Sequence, residues 1–226
     1  MYKIKKEDLT ALFRAIAAEQ ELYVPVKTAG KVNFGPWSED AEVDIDTLKS
    51  VKSPKDVFFP QSENLYTCER EGRKLKVEPE ALKEQKFTVF GMRACDVQGV
   101  KVLDQVFLAD PVDSFYAARR EHGTMVAIAC HEPEESCFCK VFGIDCAEPA
   151  ADVAAWFAGE ELYWKALTEK GQTLTEILSG LLTDADTEDE KKLSEEQTAI
   201  RAIVEKLPYS HLSLKGWDGN ATETRF

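Results

Sequence analysis

Three cysteines fall within one short run, Cys130-His-Glu-Pro-Glu-Glu-Ser-Cys137-Phe-Cys139, and a fourth, Cys95, stands far upstream in Gly-Met-Arg-Ala-Cys-Asp. Four thiolates are the donor set of a [4Fe-4S] cluster, because soft sulfur suits iron and the anionic ligands offset the positive core. Such a site would make the chain an electron carrier. The spacing from Cys130 to Cys139 is C-x6-C-x-C, unlike the C-x2-C-x2-C run of bacterial ferredoxins, so spacing alone does not fix the metal. Structural zinc is the sharpest rival: four cysteines, or three with His131, are common zinc donors, although the usual C-x2-C knuckles are missing. Redox-active thiols and inert buried thiols are the other readings. An inert thiol suits Cys130, which ends an apolar run, better than Cys137 and Cys139, which follow Glu and Ser residues. Cys146 is close enough to Cys139 to substitute for it, and Cys68 stands outside the set.

These residues need elements to bring them together. Phe87-Thr88-Val89-Phe90 is a short β-prone run, followed by a turn at Gly91 to Cys95 and by a helix that Asp96 can cap. Val97, Val100, Leu103 and Phe107 recur at helical steps, and Pro111 stops the pattern. Met125 to Ala129 is a continuous apolar run that ends at Cys130, as expected of a strand covered on both faces. If the two strands are parallel, Cys95 and Cys130 emerge at the same carboxyl edge, where sites on open α/β sheets form.

Elsewhere, Lys5 to Gln20 reads as a helix leading into an extended Leu22 to Val26, and Lys31 to Ser53 is weakly patterned with an acidic loop or edge at Glu39 to Asp46. Ala151 to Trp164 favours a hairpin over one amphipathic helix, and Thr168 to Leu182 and Glu188 to Leu207 read as helices. The expected architecture is α/β: a mixed sheet with helices on its faces plus a helical C-terminal segment. Residues 1–208 would form the α/β domain and 209–226 a polar tail with Trp217 as its internal anchor.

The chain of 226 residues carries a formal charge of −13, which argues against a nucleic-acid partner, since counterion release needs clustered Lys and Arg. No apolar stretch is long enough to cross a bilayer and the N-terminus lacks a signal-peptide core, so a soluble cytoplasmic protein with free thiols is expected. His122, His131 and His211 form no H-x3-H pair, and neither a P-loop nor G-x-G-x-x-G is present, which leaves no catalytic residue to name. Arg93, Arg119 and Arg120 could offset the charge of a reduced cluster, and Phe138 could shield its sulfurs from water. The alternative uses are surface ion pairs and ordinary packing.

Phe59-Pro60-Gln61-Ser62-Glu63, Gly91 to Asp96 and the Cys130 to Cys139 run with its Cys-Phe-Cys resemble an iron-sulfur family that includes sulfhydrogenase beta subunits and the iron-sulfur subunit of anaerobic sulfite reductase. The resemblance extends from about Lys52 to Gly171. It implies cluster ligands at Cys95, Cys130, Cys137 and Cys139, and a subunit relaying single electrons between a flavin-bearing diaphorase-type partner and a terminal hydrogenase or reductase. Family members usually continue into a ferredoxin-like module. No C-x2-C-x2-C-x3-C-P run occurs here, so that module is expected beyond this sequence or on a separate subunit.

Overall fold

A computed structural model describes residues 1–212 and 214. Their elements are β1 (Tyr2–Lys5), α1 (Leu9–Glu19), β2 (Glu21–Thr28), β3 (Lys31–Pro36), α2 (Lys55–Phe58), β4 (Tyr66–Glu71), β5 (Lys74–Pro79), β6 (Phe87–Met92), α3 (Ala94–Phe107), α4 (Ser114–His122), β7 (Gly123–Ile128), β8 (Val153–Ala158), β9 (Glu161–Ala166), α5 (Glu169–Ile177), β10 (Thr183–Asp184) and α6 (Thr187–Val204). Eight strands make one mixed sheet in the order β10-β1-β9-β8-β7-β6-β2-β3, while β4 and β5 form a separate hairpin. The parallel pairs are β2/β6, β6/β7 and β7/β8. The α/β architecture expected from the sequence is thus present, including the helical C-terminal segment.

Strand periodicity sets the two layers. In β8, Val153, Ala155 and Phe157 face one core, and Ala154, Trp156 and Ala158 face the other. On the first face Leu12, Phe13 and Ile16 of α1 meet Leu174 of α5 over Phe90, Val126 and Trp164. On the second, Val97 and Val100 of α3 and Tyr116 of α4 pack on Phe87, Val89 and Ala127, and Leu193 of α6 packs on Trp156 and Tyr163. Each large side chain removed from water here contributes about 1.5–3 kcal/mol. The expected hairpin at Ala151 to Trp164 is β8–β9, turning at Gly159.

Lys31 to Pro36, read in the sequence as part of a weakly patterned stretch, is instead an edge strand paired residue for residue with β2. Gly35 and Pro36 look like breakers but close the strand at the sheet margin, where a missing N–H costs no ladder bond.

β6 carries a bulge at its end. The pairing Phe90↔Val126 is followed by Met92↔Ala127, which leaves Gly91 over. The extra residue lets Met92 join Phe87 and Val89 in the second core. Gly91 has φ +96°, and a Cβ there would stand 3.1 Å from Pro25 Cδ. Gly91→Ala is therefore expected to destabilise the fold by about 1–3 kcal/mol, read as a lower urea midpoint at unchanged slope. An unchanged midpoint would show that the bulge tolerates a side chain.

α6 is fastened to the sheet through Asp189, whose carboxylate accepts from Lys3 Nζ at 2.6 Å, Tyr163 Oη at 2.8 Å and the Asp186 N–H at 3.0 Å. The Lys3 bond first, then the Asp186 N–H, hold its pKa at about 2, below the ordinary 3.8. A depressed carboxylate stabilises the fold fully above the unfolded value and loses that contribution as pH falls through the folded one. Stability should therefore decline between pH 3.8 and about 2. In Asp189→Asn, acid titration followed by circular dichroism should show a shallower decline over that window from a lower starting stability at neutral pH.

Candidate functional site

Parallel pairing of β6 and β7 sends both chains out at the same edge of the sheet. Cys95 is the second residue of α3, three residues past β6, and Cys130 follows β7 by two. α3 begins directly after Arg93, which is extended, with φ −99° and ψ 161°, and whose N–H is accepted by the Asp96 carboxylate at 3.3 Å. The Ser53 hydroxyl donates to the other Asp96 oxygen at 2.8 Å. Burial nonetheless pushes the Asp96 carboxyl above its usual range.

The segment from Cys130 to Cys146 leaves the sheet and returns to it. Ala129 N–H still bonds to Ala155 O at 2.9 Å, as in the β7–β8 ladder, but Cys130 N–H bonds to Cys146 O at 3.0 Å, closing the loop on itself. Inside it a 3-10 turn, Cys139–Phe142, ends at Gly143 with φ +67°, and Ile144 N–H reaches back to Cys139 O. Two latches hold the loop. Lys49 donates to Glu134 at 2.7 Å and to Ser136 at 2.5 Å, and Arg201 of α6 bonds to Asp145 at 2.6 Å and Glu148 at 3.2 Å. Trp156 Nε1 donates to Ala147 O at 2.7 Å from below.

The result is a gathering of thiols from distant segments. Cys130 and Cys146 are buried, Cys137 and Cys139 are half-buried and Cys95 is exposed. Cys95 hydrogen-bonds to Cys139, and Cys130 to Cys146. In each pair the donor is pushed up by its partner and by burial, and the acceptor is brought down by the bond it receives. Cys130 and Cys146 pack with Ala147 and Ile200, bordered by Leu48, Cys139 and Val204. A cleft of about 240 Å³ opens beside Cys146 between the 3-10 turn and α6. Cys146, which the motif spacing places outside the set, is thus in contact with Cys130; its nearness to Cys139 in the sequence is the one signal that points to it.

Arg93 is the one arginine brought to this place. It is 4% exposed, and its terminal nitrogens donate to Ile45 O at 2.8 Å, Thr47 O at 3.2 Å and Ala129 O at 3.4 Å. Its Nε has no acceptor among the described residues, a deficit that costs about 1–3 kcal/mol in a buried donor. Its charge lowers the pKa of Cys130, opposing the larger effects of the Cys146 bond and burial. Soft anionic donors beside a buried cation with a spare N–H fit the sulfur-rich core of an iron-sulfur cluster. No group of three or more His, Cys, Asp or Glu among the described residues closes to the spacing of a single ion. Four sulfurs around one zinc would lie about 3.8 Å apart, whereas the thiolates around a cluster stand farther from each other.

The other arginines serve elsewhere. Arg119 donates to Phe58 O at 2.6 Å and Glu63 at 2.5 Å, and Arg120 grips Asp104 at 2.6 and 2.9 Å. Both lie near the C-terminus of α4, which runs directly into β7 and so sits at the opposite edge from Cys130. The Phe59 to Glu63 motif is likewise structural, with Glu63 paired to Arg119 and Phe59 stacked 4.3 Å from Phe107. Phe138 does not cover the thiols from water by its own burial: it is 54% exposed and leans on Phe142 at 5.7 Å. Cys68 is in the exposed β4–β5 hairpin, His131 and His211 are exposed, and Trp217 lies outside the described residues.

Fold and site define an α/β domain with a thiol-rich pocket edge built from two parallel strand ends and one returning loop. The chain is similar to the sulfhydrogenase 2 subunit beta of Pyrococcus furiosus, 28% identical over 151 residues. That match covers 67% of this chain and 43% of the relative, so the chain spans less than half of the relative's length. The similarity supports the kinship with sulfhydrogenase beta subunits that the motifs suggest. No protein-family model matches the chain. No helix among the described residues is long and apolar enough to cross a membrane.

Contacting thiols make a direct test of this geometry. Treating the metal-free protein with diamide, which takes two electrons and two protons from each thiol pair, should give Cys95–Cys139 and Cys130–Cys146 disulfides by peptide mapping. Cys68 should remain open to alkylation. Random pairing, or a Cys68 bridge, would contradict the arrangement.

Proposed function

We propose that this chain is an electron-transfer subunit, or the cluster-bearing part of one, that binds one [4Fe-4S] cluster through Cys95, Cys130, Cys137 and Cys139 in a multi-subunit oxidoreductase. The observation that carries the reading is the convergence of thiols from α3 and the Cys130–Cys146 loop beside a buried guanidinium with an unpartnered N–H. The choice of Cys137 and Cys139 over Cys146 rests on the Cys-Phe-Cys motif shared with the iron-sulfur family. Cys146 is then a supporting thiol packed beneath Cys130 by Ile200 and Ala147.

Bound there, a cluster supplies a one-electron couple, and the protein supplies everything around it. The two latches and α6 hold the loop so that its thiols face Cys95 without large rearrangement. Leu48, Ile200 and Val204 exclude water from the Cys130 side. Cys95 and Phe138 are exposed, which leaves the other side open to a partner. The domain doing this is residues 1–208. Its partners are a flavin-bearing diaphorase-type subunit, a ferredoxin-like module and a terminal hydrogenase or reductase, in the cytoplasm. The relative's name as a component of a sulfhydrogenase supports this class of complex. Catalysis belongs to those partners.

Anaerobic purification followed by iron and acid-labile sulfide analysis should find four of each per chain, with an S = 1/2 EPR signal on reduction. Zinc without labile sulfide would sink the proposal and leave a zinc- or thiol-stabilised assembly domain in its place. Cys95→Ser and Cys139→Ser should lose most of the iron, while Cys68→Ser and Cys146→Ser should keep it. Iron loss in Cys146→Ser with retention in Cys139→Ser would reverse the ligand assignment.

A further inference from the structure

We infer that Arg93 is a positioning residue which donates its Nε–H to a sulfur of the bound cluster and thereby raises the reduction potential. The inference rests on the cluster reading above and adds a role to a residue that is no ligand.

Three observations converge on it. The guanidinium is buried within a site of thiols, where a cation without compensation is unfavourable. Its terminal nitrogens are fixed by the carbonyls of Ile45, Thr47 and Ala129, two of which belong to the β3–α2 connection and one to the residue before Cys130. Nε alone is left without an acceptor. Three carbonyl bonds hold the fork rigidly, so Nε cannot turn away to find a partner in solvent. A sulfide or a coordinated thiolate is the acceptor that the chemistry of the site would supply. An N–H bond to sulfur and a nearby positive charge both favour the state bearing one more electron.

The geometry also accounts for arginine at this position. Lysine would bring the same charge, but as a point donor it has no planar fork to satisfy three carbonyls while presenting a separate N–H. Nothing comparable faces the cysteines from α4, since Arg119 and Arg120 are committed to Phe58, Glu63 and Asp104.

The test compares wild type with Arg93→Lys as purified anaerobically. Iron and sulfide should be unchanged in the variant, while the midpoint, read by EPR in a mediated dithionite titration, should move negative. The expected shift is about a tenfold fall in the reduced-to-oxidised ratio at fixed potential, which is about 59 mV for one electron. An unchanged midpoint with iron retained overturns the inference. Should Arg93→Lys lose its iron, pulsed EPR on wild type labelled with 15Nε-arginine decides: a nitrogen coupling to the reduced cluster supports the bond, and its absence overturns it. Wild type lacking iron and sulfide would instead refute the cluster reading, and this inference with it.

Discussion

Everything at the thiol site depends on the parallel register of β6 with β7. Phe87 pairs with Gly123 and Phe90 with Val126, so the two strands run level until the Gly91 bulge and then leave the sheet at one edge. An antiparallel pairing would put Cys95 and Cys130 at opposite ends of the sheet. The bulge matters for the same reason. By absorbing one residue it keeps Met92 in the core and delivers Arg93 in an extended conformation, from which α3 can start with Cys95 in its first turn. The N-terminus of a helix also favours a thiolate there, through the unpaired N–H groups of its first turn.

The second constraint is charge. A chain of net charge −13 gathers thiols in a half-buried place, and further negative charge there would be repelled. Arg93 answers this locally. Burying a guanidinium is costly, but backbone carbonyls replace most of its water, and the result is a fixed positive charge where anionic sulfur collects. The same residue ties three separate stretches together: the β3–α2 connection, the start of α3 and the end of β7.

Much of this was legible in the sequence because the strands that carry the cysteines are buried on both faces. Phe87 to Phe90 and Met125 to Ala129 are short unbroken apolar runs, and each ends at or just before a site residue. α3, α5 and α6 announced themselves by apolar spacing, although α5 is shorter than its pattern. β1 and β10 did not, since strands of four and two residues at a sheet margin offer no period to read. The β4–β5 hairpin is exposed along its length and has no hydrophobic signal of burial. The contacts of Arg93 were illegible for a deeper reason: its partners are main-chain oxygens, which every residue carries. Cys146 could have been paired with Cys130 only by knowing that the loop returns to the sheet edge it left.

That return is what turns an irregular stretch into a usable site. A long loop with two free ends would spread its cysteines over many arrangements, and ordering it upon binding would consume part of the binding free energy. Here the cost is met during folding. The Cys130–Cys146 backbone bond closes the loop, Trp156 holds its returning end, and Arg201 and Lys49 fix its two flanks from α6 and from the β3–α2 connection. The surface pairs are individually weak, about 0–1 kcal/mol. Their value lies in position, because they act on the few residues between Cys130 and Cys146 whose freedom would otherwise scatter the thiols. The loop can therefore lack regular structure and still hold sulfur in a set place, since its order comes from the sheet below and the helix beside it.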